Sequence, residues 1–475
     1  MSLDRLLFAA VLACAATSVA PADDEAALSA ALEKIERLEA TLDAVNSRLA
    51  QLEQEDQQAW LDESRAAQIR GVVLDVLADA ESRASFQSDG ALAGYQPGRG
   101  FFLQSADGNF SMRISGQIQV RYDVNSAGGQ GTDYGFSIRR AKISFAGNII
   151  DPSWTYRLQG AFNRGTSNNV NTGTFDLEEA WIAKDFGGGW SMKLGQFKAP
   201  YLQEDTVSSR RQLAVERSLI SGYFAQAFDR GIQLQFQQES FRLRAWTGNG
   251  IRTPFRGVSN SVTSSNWNTN PTRYAVVGRG EVKFGDAGWR DFEDFNSFRG
   301  ATPGVMLGVS GMTQGYDQSR LLFPTAGTVT GVTADATVNL GGASLFTYFV
   351  WEQGDDVLDS TGGFGGVANP WGALVQGGYF LTDTVEVFGR YEHGNVSRTA
   401  PGFSSNALNL ITVGANWFIS RHDLKFTVDW GINLDSLGRT TYGSGFGNDS
   451  GAGYRPDLRG EEYQWALRAQ MQLLF

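Results

Sequence analysis

The stretch Tyr463–Phe475, YQWALRAQMQLLF, decides the fold. Tyr463, Trp465, Leu467, Ala469, Met471, Leu473 and Phe475 alternate with Gln464, Ala466, Arg468, Gln470 and Gln472. A period of two sends successive side chains to opposite faces of a strand, so one face is apolar and the other polar. Working outward, the same period runs through residues 110–122. There Met112, Ile114, Ile118 and Val120 oppose Arg113, Ser115, Gln117, Gln119 and Arg121. It recurs where Trp154, Tyr156, Leu158 and Phe162 oppose Thr155, Arg157, Gln159 and Asn163, and again over 232–237 and 424–430. From 110 to 475 such runs number about sixteen, the range in which a barrel leaves an aqueous channel. Alternation is blurred only at 175–184 and 342–352.

Alternation by itself suits a soluble sandwich as well as a barrel turned inside out. Three features favour lipid: aromatics near the ends of the apolar faces, loops alternating between short and long, and a secretory leader. A last strand closing on an aromatic also resembles the signal by which outer-membrane barrels are recognised for insertion. The expectation is an all-β, transmembrane antiparallel barrel over 98–475 in the cell outer membrane. Mean hydropathy is −0.25, and no run of about 18 apolar residues follows the extreme N-terminus, which excludes a bundle of membrane helices.

The N-terminal fifth reads differently. Residues 1–22 form a signal peptide, with Arg5 before the apolar stretch Leu6–Val19 and small residues at 20–22. Residues 23–60 are expected to be an α-helical coiled coil. Leu28, Ile35, Leu42 and Leu49 fall at one heptad position, and Ala31, Leu38, Val45 and Leu52 at the other. The alternative is a single helix folded back on the barrel. Residues 61–97 form a short helix (Ile69, Val72, Val73, Val76, Leu77) and a linker over Gly90–Gly100. Charge follows the same division. Residues 23–97 hold sixteen acidic and six basic side chains, whereas 98–475 hold 34 and 33. The chain's net charge of −11 therefore describes the stalk. Cys14, in the leader, is the one cysteine; Val11–Cys14 also resembles a lipidation box.

Phe136–Gly147 (FSIRRAKISFAG), Phe175–Lys184 (FDLEEAWIAK), Leu194–Tyr201 (LGQFKAPY), Ser208–Ser218 (SSRRQLAVERS) and Phe228–Gly231 (FDRG) resemble, in order and spacing, the phosphate-selective porin O and P family. The resemblance covers about 98–475. It implies a homotrimer of sixteen-stranded barrels, each passing small anions such as phosphate by diffusion. An inward loop at about Ala199–Phe228, carrying Arg210, Arg211, Glu216 and Arg217, would narrow each pore. The family's adjacent arginines correspond to Arg139 and Arg140, and its lysine to Lys198. Pro200-Tyr201-Leu202 stands where relatives place serine hydroxyls.

The residues themselves point the same way. Guanidinium is always charged and offers fixed donors to an oxyanion. Rings of cations make anion pores. The barrel's 33 basic residues include only six lysines. Arg140 and Lys142 share a face, so Arg139 faces outward unless a bulge intervenes or a subunit interface buries it. Arg242 and Arg244 form a second ladder, and Arg273, Arg279 and Lys283 a third. The competing reading pairs these cations with Asp429, Glu386, Glu281 and Glu179. The candidate pore-lining residues are thus Arg139, Arg140, Lys142, Lys198, Arg210, Arg211, Arg242 and Arg244. A weakly selective porin and a wall-contacting tether built on the periplasmic coiled coil are the alternatives.

No serine–histidine arrangement supports an enzyme, and no metal site or cofactor is expected. His393 and His422 read as turn residues, and the acidic glycine-rich 448–453 as a loop. Nucleic acid is excluded as a partner by location.

Overall fold

The computed structural model describes residues 37, 39–47, 92–96, 100–127, 131–163, 174–224, 228–250, 272–316, 328–354, 369–395, 407–435, 454 and 463–475. The chain divides into two compact units, Met1–Ala84 and Ser85–Phe475. Of the first unit, residues 39–47 are described as helical, and both heptad positions there, Leu42 and Val45, are exposed. The signal peptide, the other heptads, the 69–77 helix and 448–453 lie outside the described residues.

In the second unit, two short strands, β1 (Leu92–Gln96) and β2 (Gly100–Gln104), precede sixteen longer ones. These are β3 (Ser111–Ser126), β4 (Asp133–Ile149), β5 (Asp151–Asn163), β6 (Thr174–Gly187), β7 (Trp190–Phe197), β8 (Asp229–Gln237), β9 (Phe241–Gly248) and β10 (Thr272–Gly285). They continue with β11 (Gly304–Tyr316), β12 (Thr328–Asn339), β13 (Ala343–Gly354), β14 (Trp371–Phe380), β15 (Val385–Asn395), β16 (Ala407–Ser420), β17 (Leu424–Asn433) and β18 (Trp465–Leu474). Each of the sixteen pairs antiparallel with its sequence neighbours, and β18 closes on β3. Closure satisfies backbone donors and acceptors that lipid could not.

Alternation sorts the side chains as the sequence implies. On the outer face Ile118, Val120, Leu158, Val309 and Leu467 are exposed. On the inner face Gln117, Gln119, Arg121, Arg468 and Gln470 are buried.

Part of the stretch read as a linker is instead a strand. β1 pairs with β2, and β2 pairs with Ser111–Ile114 of β3. β18 takes the same edge of β3 from Gln117 onward. Two glycines permit this end-to-end arrangement. Gly100 adopts a left-handed φ of 83°. At Gly116 a Cβ would lie 2.2 Å from the Phe475 ring.

At one end of the barrel the connections are short, such as 238–240, 340–342, 381–384 and 421–423. The exception is 286–303, with a 3-10 helix at Trp289–Glu293, which runs across the short-turn rim. Asp294 meets His422 at 2.7 Å, Asn296 donates to Glu386 at 2.5 Å, and Phe298 packs against Phe380 and Phe418. His422 is thus a turn residue, as expected. His393 is not: it lies within β15 and bonds Asn409 at 2.6 Å.

At the other end the connections are long, and 198–224 folds into the lumen. It carries two short helices, α1 (Gln203–Thr206) and α2 (Leu219–Phe224). Leu202, Val207, Leu213, Leu219, Ile220 and Phe224 of this loop join one apolar cluster with Ala275, Val277, Met312, Phe346, Tyr348, Val350, Leu374 and Leu410 of the wall. Half of the lumen, against β10–β16, is therefore a packed core. This explains the blurred pattern at 342–352. β13 is apolar outside at Leu345 and Phe349, and apolar inside at Phe346, Tyr348 and Val350, where it meets the loop.

Candidate functional site

The other half of the lumen, walled by β3–β9, is open and polar. A cavity of about 790 Å³ lies between that wall and the inward loop. Its lining holds twelve Lys and Arg side chains and four Asp and Glu. All eight candidate residues line it: Arg139, Arg140, Lys142, Lys198, Arg210, Arg211, Arg242 and Arg244.

Two bulges concentrate charge here. Opposite β3, Gln119 pairs with Arg140 and Val120 with Ile138, so Arg139 is the extra residue. Opposite β5, Gln159 pairs with Glu179 and Gly160 with Leu177, so Glu178 is extra. A bulge lets two consecutive residues face one side. Arg139 accordingly points inward beside Arg140, and Glu178 beside Glu179. The second bulge also accounts for the blurred alternation at 175–184.

Most of these cations have partners on the protein. Glu216, from the inward loop, is the hub: Oε1 accepts from Arg121 at 3.0 Å and Arg139 at 2.5 Å, and Oε2 accepts from Arg140 at 2.8 Å. Burial would raise its carboxyl, but Arg139, Arg140 and Arg121 outweigh burial and hold it far below the usual carboxylate range. Lys142 binds Glu178 at 2.5 Å, and Lys198 binds Asp205 at 2.5 Å while lying 5.1 Å over the Phe228 ring. Glu281 takes Arg242 at 2.5 Å, Arg244 at 2.6 Å and Arg279 at 2.9 Å. Asp429 takes Arg468 at 2.6 Å, and Glu179 takes Arg157 at 3.3 Å. Glu386, expected as another such partner, bonds Asn296 and Asn416 instead.

Arg210 and Arg211 lie on the inward loop with no carboxylate partner among the described residues. Burial, then Arg157 and Arg211, push the Arg210 guanidinium down to about 10, which leaves it charged at neutral pH. Of the third ladder, Arg279 is fully buried on Asp335 and Glu281, whereas Arg273 is exposed beside a register shift. Pro200-Tyr201-Leu202 supplies no hydroxyl to the cavity; Tyr201 and Leu202 are buried in the apolar cluster. Lys193, Arg157, Arg217 and Arg290 also line the cavity. Lys193 was legible from alternation in Trp190–Lys198, where it shares a face with Ser191. Among the described residues no group of histidines, cysteines or acids could hold a metal ion.

A closed sixteen-stranded barrel with an apolar outside, an infolded loop and a charged lumenal cavity defines an outer-membrane channel. Residues 110–319 match the sequence model of the family "Phosphate-selective porin O and P". The family resemblance read from the motifs is thereby borne out. No curated protein matches the chain. Among solved structures it is similar to an anion-selective porin from Comamonas acidovorans (12% identity, covering 77% of this chain and 99% of that one, TM-score 0.48). It is also similar to the outer-membrane-expressed OmpT of Vibrio cholerae (11%, 77% and 98%, 0.46) and the outer membrane channel DcaP of Acinetobacter baumannii (10%, 76% and 97%, 0.47). Similarity this distant says nothing of what the present chain carries.

Proposed function

We propose that the chain forms a water-filled pore through which small anions cross the outer membrane by diffusion, and that the cavity's cations select their charge. The observation that carries this reading is the lining, twelve basic side chains against four acidic. Adding Glu216 and Glu281, which back the lining arginines, still leaves a surplus of six cations (12 − 6). In a narrow, low-dielectric passage such a surplus raises local anion concentration and excludes cations. Arg139, Arg140, Lys142, Lys198, Arg210, Arg211, Arg242 and Arg244 are its proposed carriers. Because several are neutralised by the protein's own carboxylates, the preference is for anions in general, phosphate included, over strict phosphate selectivity.

The reversal potential of single channels in a potassium chloride gradient tests this. It should carry the sign of chloride preference; potassium preference would refute the reading. We further propose a homotrimer whose N-terminal heptads associate on the periplasmic side and contact the cell wall. Deleting 23–84, which spares β1 and the rest of the second unit, should leave conductance intact and weaken both cross-linked trimers and envelope cohesion. Unaltered trimers and envelope would remove the stalk's role.

A further inference from the structure

The outer wall carries a hollow of its own, about 670 Å³ over β6–β9, and sites for small ligands run from about 300 to 1,000 Å³. Its lower walls are Leu177, Ala180, Leu194 and Ile232, and its upper end holds Arg230 and Asn249. Strand alternation sets Arg230 outward: Ile232 and Leu234 on its own face are exposed, whereas Asp229 and Gln233 on the opposite face are buried. The space exists because a bulge at Glu178 bends β6. Gln196, also on the outer face, does not project into it but lies along the wall and donates to the carbonyls of Leu177 and Glu178 at 2.7 and 3.1 Å. Nor does the hollow open into the pore. The buried Trp246 backs its floor from the lumen side, where a Cβ on Gly231 or Gly248 would come within 2.8 or 2.4 Å of the indole.

The hollow's place sets its chemistry. β7 ends at Phe197, β8 begins at Asp229 and β9 ends at Gly248, so Arg230 and Asn249 lie at the end of the long connections. In outer-membrane barrels that end faces the exterior, at the level of the outer leaflet's headgroups. A guanidinium at the lipid boundary needs an anion or water to receive it, and headgroup phosphates supply that anion. Leu194 and Ile232 lie one step nearer mid-membrane and offer an apolar trough beneath it. We propose that the hollow binds one acyl lipid of the outer leaflet, its anionic phosphate on Arg230 and a chain along Leu177, Ala180, Leu194 and Ile232. A lipid matches both ends of the hollow; the apolar outer wall of a second copy would match only the lower. Such binding is independent of which ions the pore prefers.

The test is native mass spectrometry of the full chain in nonionic detergent, titrated with dilauroyl phosphatidylglycerol and, separately, with dilauroyl phosphatidylcholine. The wild type should retain one phosphatidylglycerol per barrel, about tenfold more tightly than phosphatidylcholine. Arg230→Gln should abolish that preference. Ala180→Trp should fill the hollow and weaken retention of both lipids about tenfold or more. Both positions face lipid, and heat-modifiable gel migration verifies that the variants fold; should Ala180→Trp fail to fold, Ile232→Trp replaces it. A wild type that retains neither lipid, or both equally, would overturn the proposal. So would a preference that survives Arg230→Gln, or retention untouched by the filling variant. Loss of cross-linked oligomers in Ala180→Trp, with wild-type barrels free of lipid, would overturn it in favour of a second copy.

Discussion

The two halves of the lumen are built on the same strand geometry and do opposite things with it. Against β10–β16 the inward-pointing residues include Val277, Phe346, Tyr348, Val350 and Leu374, which the loop's apolar side seals from water, beside buried polar contacts such as Arg279–Asp335 and Glu392 on the loop backbone. Against β3–β9 the equivalent positions carry Gln159, Glu179, Lys193, Gln233 and Arg244, and the loop turns its charged residues toward them. One loop is therefore amphipathic across the barrel. It is a core element on one side and a pore wall on the other. The difference teaches that the channel's cross-section is set by hydrophobic packing on the side away from the solute.

The sharpest way to break that comparison is to place the same charge in each half. Val350→Lys puts an unpaired ammonium into the packed half and should cost upwards of about 4 kcal/mol. Gln235→Lys, in the open half, should fold like the wild type and only shift the reversal potential. Heat-modifiable gel migration and conductance read the two outcomes; equal tolerance would mean the loop does not seal β13.

Next in size is Glu216→Gln. It leaves three guanidiniums facing a neutral amide and should cost about 3 kcal/mol while increasing chloride preference. Its pH dependence has a defined sign. A carboxyl lowered on folding contributes stability above its ordinary value of 4.5 and loses it only as pH falls through the depressed value. The difference between wild type and Glu216→Gln should therefore persist at pH 4.5; its disappearance there would mean the carboxylate is not held by the arginines.

A smaller effect is expected from Glu392→Ala. Glu392 Oε2 accepts from the backbone of Leu219 at 2.7 Å and of Ile220 at 3.3 Å, pinning the start of α2. Two orphaned donors should cost about 2 kcal/mol and make the open-channel current noisier. Quiet single-channel traces would show that apolar contacts alone hold the loop. The smallest change is His422→Ala, which frees Asp294 and one side of Phe298 at the short-turn rim. We expect about 1 kcal/mol in unfolding and a slight rise in conductance, and no change would show that 286–303 does not border the passage.

The outward and inward assignments of β3, β5, β17 and β18 were legible because one face meets solvent-like lumen and the other does not. β13 was not, since its inner face packs on a loop some 130 residues away in the chain (Tyr348 on Ser218), and no local pattern encodes that. The charged half was legible as residue types but not as pairings. Nothing in Phe136–Gly147 says that Glu216 will sit on Arg139 and Arg140. The RR and EE doublets did hold a signal: two adjacent charges in an alternating strand leave one facing lipid unless the strand bulges. The strand at 92–96 escaped notice because glycine and proline surround it, and its pairing depends on β2 and on the space left beside Phe475.

Those bulges also carry a genetic consequence. Ile138 and Arg140, or Leu177 and Glu179, would stand in regular alternation if Arg139 or Glu178 were missing. An in-frame loss of one codon at either place would delete a single lumenal charge and leave the rest of the strand in register. A gain of one codon would do the reverse. The pore's charge can thus be tuned during descent by insertions and deletions, changes that elsewhere in a strand would turn half its side chains inside out.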